Sequence, residues 1–219
     1  MLSSSFPVPS RSKSLRSTAL AVLATTAAAF MAPAAHADYL WLQREGAQAR
    51  AYTGEVARRS AALPALKALR ATLADGKDLP LAPQAAHIDV TAPEGQDLRL
   101  TASVVGDKGA LTFYQARHGR NETRAANDLE LVPTTPGGNT FKLVWKGQTV
   151  AASQVNVDTS AGWHRTLAPA KDGTVSLETP FPGLYVLEVT ARVNGAATVD
   201  GTKYEDVRHT ATLSFEVAR

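Results

Sequence analysis

This 219-residue chain contains no cysteine, so the imidazole, carboxylate and indole groups are the first places to look for chemistry. The lack of cysteine excludes disulfides, thiolate metal sites and cysteine nucleophiles. A transition-ion site here would use imidazole and carboxylate ligands, a donor set that suits Ni, Co, Cu(II) or Zn and leaves geometry to choose among them. Beyond residue 37 the histidines are His87, His118, His164 and His209, and none forms an H-x-H or H-x-x-x-H pair. His87 and His209 stand at strand beginnings. His118 follows a strand beside Arg117 and Arg120, whose charges oppose a bound cation. His164 is better placed, in the loop-like stretch Gly162-Trp163-His164-Arg165, since loops carry function more often than strands do. The candidate metal ligands are therefore His164, His118 and His209, with Trp163 and Arg165 as candidate ligand or partner contacts.

Catalytic signatures are missing from the sequence. There is no G-x-S-x-G elbow, no H-E-x-x-H and no Walker loop. Glu205 and Asp206 are adjacent carboxylates, and neighbours on a strand point to opposite faces. No enzyme is expected. Exposed tryptophans would suit sugar stacking, but alternation places Trp41 and Trp145 on inward faces and leaves Trp163.

The elements that must position these residues are mainly β. From Gly183, Tyr185, Leu187, Val189, Ala191 and Val193 share one face, while Leu184, Val186, Glu188, Thr190 and Arg192 take the other. Asp172-Gly173 and Pro182-Gly183 supply turns. Further strands are read at Tyr39–Leu42, 49–53, 87–91, 98–105, 111–117, around Leu129 and Leu131, 141–145, around Val155 and Val157, and 210–217. One helix is expected near 64–74, with Leu66, Leu69 and Leu73 on one stripe, Pro64 in its first turn and Gly76 past its end. The polar stretches 119–127 and 194–207 read as a linker and a long excursion. The expected fold is an antiparallel β-sandwich over 127–219, preceded by a β-rich region at 38–126.

Residues 1–37 read as a signal peptide: Arg11, Lys13 and Arg16, an alanine-rich apolar run from Ala19 to Met31, then Ala35-His36-Ala37. The chain holds 23 Lys+Arg and 20 Asp+Glu. Three of the basic residues and no acidic one lie in 1–37, leaving 20 of each sign. A neutral mature chain gives nucleic-acid binding no electrostatic basis. The apolar run is too short for a good membrane span, so no integral membrane protein is expected after cleavage.

Several segments carry a family resemblance: Tyr39-Leu40-Trp41-Leu42, Gly54-Glu55, Asn127 to Pro133 (NDLELVP), Gly162-Trp163-His164-Arg165, Asp172-Gly173 and Pro182 to Val189 (PGLYVLEV). In this order they resemble the bacterial exported family of unknown function often labelled a periplasmic component of a cobalt or nickel uptake system. The resemblance implies a periplasmic protein with an Ig-like or transthyretin-like C-terminal domain. It also implies a transition metal of the Ni or Co type as ion or chelate, handed to a membrane permease or outer-membrane receptor. Three functions compete: a metal-uptake accessory, an envelope protein–protein interaction module working through an exposed edge strand or the Trp163 loop, and a carbohydrate-binding sandwich.

Overall fold

The computed structural model describes residues 38–106 and 109–218. The expected signal peptide and the tip of the 106–109 turn, Asp107-Lys108, lie outside them. The first half contributes β1 (Tyr39–Glu45), β2 (Gln48–Glu55), β3 (Arg58–Arg59), β4 (Lys67–Leu73), β5 (Leu81–Pro83), β6 (Ile88–Thr91), β7 (Leu98–Val105) and β8 (Ala110–His118). Then come β9 (Leu129–Pro133), β10 (Thr140–Trp145), β11 (Gln148–Val150), β12 (Val155–Thr159), β13 (His164–Leu167) and β14 (Val175–Ser176). The chain ends with β15 (Gly183–Val193), β16 (Ala197–Val199), β17 (Thr202–Tyr204) and β18 (Asp206–Val217).

A seven-stranded sheet in the order β13-β12-β15-β18-β8-β7-β4 forms the middle of the molecule. Its long strands are buried on both faces over most of their length, so both faces must be covered. On one face Tyr185, Leu187, Leu213 and Phe215 pack against Leu129, Leu131, Phe141 and Leu143 of the small sheet built on β9, β10, β11 and β14. On the other, Leu98, Leu100, Ala102 and Ala116 pack against Leu40, Leu42, Ala51, Ile88 and Val90 of the sheet β1-β2-β6-β5. Tyr39 and Trp41 meet Leu184 and Val186 beside that second core. The fold is thus β-sandwich packing, mainly antiparallel, repeated on both faces of one sheet. The pairing of β18 with β8 is parallel.

The expected helix at 64–74 is a strand instead. Lys67–Leu73 pairs with β7 as the edge of the large sheet. Leu69, Ala71 and Leu73 lie along its inner side with period two, and a bulge between Lys67 and Arg70, with Ala68 at φ 49°, absorbs the irregular spacing that read as helical. An available edge outweighed a weak local preference. The excursion at 194–207 also contains a hairpin, β16–β17. The division expected at residue 126 cuts through the large sheet, where β8 bonds to β18 and β7 follows β8. Residues 38–218 form one body.

The 119–127 stretch, expected to be an exposed linker, closes over a buried ionic cluster. Arg117 reaches Asp97 at 2.6 Å and Glu130 at 2.8 Å, and Arg99 reaches Glu130 at 2.9 Å. Backbone N–H groups of Asn121 and Glu122 donate to Asp97, and those of Ala126 and Asn127 donate to Glu130. Burying four charges demands that the remaining lone pairs be satisfied, and the loop backbone supplies those partners to both carboxylates.

Candidate functional site

The structure places the three candidate metal ligands apart. His118 ends β8 on the face under the β1 sheet, buried, with Nδ1 3.2 Å from Ser214 Oγ. Burial first, then the nearby Arg44 guanidinium, depresses its pKa to about 4. His209 lies on the opposite face of the large sheet, stacked on Phe113 at 4.7 Å and edge-on to Trp145 at 4.6 Å. Burial lowers its pKa, Asp128 opposes that and Lys146 adds to it. His164 is exposed at the start of β13 and its Nδ1 lies 2.8 Å from Asp158 Oδ1. Among the described residues, no group of three His, Asp or Glu side chains is placed to hold an ion. Among the described residues, a histidine–carboxylate pair is the densest arrangement these candidates reach.

The Gly162-Trp163-His164-Arg165 stretch is a tight hairpin rather than an open loop. Thr159 closes it: its N–H donates to the Trp163 carbonyl, and its Oγ1 accepts from Trp163 N–H at 3.0 Å. The Trp163 ring is partly buried against the core and edge-on to Phe181 at 6.2 Å. Arg165 is exposed on β13, opposite Val157. Asp158, which sequence reasoning passed over, is held from two sides: His164 on one oxygen, and the Tyr39 hydroxyl donating to the other at 2.6 Å. Tyr39 also accepts Val56 N–H at 3.2 Å. Burial and the Asp158 charge raise the Tyr39 pKa, so it stays a donor. This chain fastens β1 to the edge of the large sheet.

The most site-like feature lies elsewhere, at the end of the sandwich where β15 outruns β12. A cleft of about 520 Å³ opens there between Leu143, Trp145 and Val150 on one side and Val189, Ala191 and Val193 on the other. Ala151, Ala152 and Ser153 close one end, Leu129 contributes to the lining, and Arg192 is its one charged residue. Trp145 is therefore half-buried at a cavity wall, not sealed in the core as its alternation suggested. Lys146 places its ammonium 5.3 Å from the Trp145 ring centre. The signal for this cleft in the sequence was small: a run of short side chains, Ala151-Ala152-Ser153, between two strands. Short side chains leave space wherever strands diverge.

Among the described residues no helix is long and apolar enough to cross a membrane. No protein-family model matches this chain, and the comparison with curated proteins gives no match either.

Proposed function

We propose that the chain is a non-catalytic interaction module of the cell envelope, and that the cleft beside Trp145 is its binding surface. One observation carries this reading: a cavity of about 520 Å³ with mainly apolar walls and a tryptophan on one side. Ligand sites typically enclose roughly 300–1,000 Å³ and are lined in this way, with few polar groups to fix orientation. The envelope location rests on the leader-like pattern of residues 1–37.

The test is to fill the cavity from either wall. Ala191→Trp and Ala152→Trp both place an indole in the space while leaving the strands intact. Titration with anilinonaphthalene sulfonate should show at least fivefold weaker binding in each variant, with melting temperatures close to that of the parent. Unchanged dye binding in both folded variants would remove the cleft as the binding surface.

A further inference from the structure

We infer that the cleft receives an extended segment of a partner protein, added as a new strand beside β15 at Thr190–Arg192. This rests on the reading of the cleft as the binding surface and names what occupies it.

The argument begins with backbone accounting. Strand β18 pairs with β15 along its whole length, from Gly183 to Val193. On its other side β12 pairs only over Tyr185–Glu188. The Ser160 N–H donates to the Leu184 carbonyl at 3.0 Å, which shows that the even-numbered residues of β15 turn their peptide groups toward β12. Antiparallel pairing alternates direction residue by residue, so Thr190 and Arg192 present their N–H and C=O groups on the same side. No strand stands there among the described residues. Ala151 to Gln154 cannot fill the place, because they carry the chain away to β11 in the small sheet. Both Thr190 and Arg192 line the cleft although their side chains alternate away from it, as their peptide groups require.

An unpaired edge with two donors and two acceptors is complementary to another extended backbone. At about 3.4 Å per residue, Val189–Val193 spans roughly 17 Å, enough for a five-residue strand. Side chains of the incoming strand opposite Ala191 would drop between Leu143 and Trp145. Charge narrows the occupant further. The lining carries no carboxylate, and Lys146 stands over Trp145 at one wall. Arg192 itself is turned away and paired with Asp206 at 2.6 Å, a carboxylate that Arg208 also meets at 2.5 Å. A segment with alternating apolar residues flanked by acidic ones fits this slot. A second copy would bring its own Lys146 toward the same cation, like charge against like.

The experiment uses the full-length chain and a fluorescein-labelled peptide, Asp-Val-Thr-Val-Thr-Val-Asp, read by anisotropy. Its partner probe carries backbone N-methyl groups at alternate residues on the edge that would face β15. Arg192→Pro removes the outward N–H without removing a bond to β18, a placement edge strands tolerate, while Arg192→Ala keeps the N–H and removes the guanidinium. Expected are binding of the plain peptide, loss of binding on N-methylation, at least tenfold weakening in Arg192→Pro and less than fivefold in Arg192→Ala, with all variants folded by circular dichroism. Equal binding of the two peptides, or of Arg192→Pro and parent, overturns strand addition. Failure of the plain peptide while the dye still senses Ala191→Trp overturns strand addition and leaves the cleft reading standing; failure of peptide and dye together overturns both. A dimer seen by sedimentation without peptide, and dissociated by Arg192→Pro, assigns the slot to a second copy and overturns the partner.

Discussion

His118 is 8% exposed and neutral inside the fold, with its pKa held near 4 by burial and, secondarily, by Arg44. Unfolding returns it to an ordinary imidazole near 6.5. Below pH 6.5 the unfolded chain therefore binds a proton that the folded chain refuses, and stability falls as pH drops from 6.5 toward 4. The loss from this one residue is roughly 3 kcal/mol by pH 4. His118→Gln should flatten that part of the stability–pH curve in urea titrations at pH 7 and pH 4.5; an unchanged slope would show that other groups govern it. The sequence argument against His118 as a ligand invoked Arg117 and Arg120 beside it. Alternation turns Arg117 to the opposite face, where it meets Asp97 and Glu130. Desolvation, which no spacing rule reveals, and the Arg44 guanidinium are what keep His118 uncharged.

The strands legible in the sequence were those whose apolar residues alternate over six or more positions, such as β7, β15 and β18. Strand β4 was misread because its stripe of leucines satisfies a helical period through a bulge. The loop at 119–127 was misread for a different reason: its polar residues look solvated, yet it uses its backbone to satisfy Asp97 and Glu130 from above. Gly119 allows the close approach, at φ 99°, where a Cβ would run into the Asp97 carboxylate. A strand with Arg99 on its supposed outer face gave no hint that this arginine is 1% exposed. Removing the acid at the centre leaves Arg99 buried without a carboxylate and Arg117 with Asp97 alone. Glu130→Ala should cost about 3–5 kcal/mol in guanidinium titration, and a cost below about 1 kcal/mol would show that water reaches the cluster. The candidate site was less legible than the fold, since a cleft arises where β12 stops short of β15, and a strand's length relative to its neighbour is a tertiary property.

At the scale of the molecule, both cores share one sheet, and that sheet draws strands from each half of the chain. Local periodicity could place strands but not the parallel joint between β8 and β18, about a hundred residues apart, so two consecutive domains were the simpler reading. Strand β18 sits between β15 and β8, and its Thr212 and Ser214 hydroxyls donate to the Leu40 and Leu42 carbonyls at 2.7 and 2.6 Å. A chain cut before Asp206 should lose both cores at once and show no cooperative melt by calorimetry; a residual sharp transition would mean that the first half folds alone. The placement of β18 also sets a schedule for biosynthesis. The middle strand of the sheet is the last of its seven strands in chain order, so its partners must wait for it across long sequence separations, a topology that folds slowly. Until β18 has been made, β15 and β8 have no strand to join them, so the two halves of the sheet stay separate through most of synthesis.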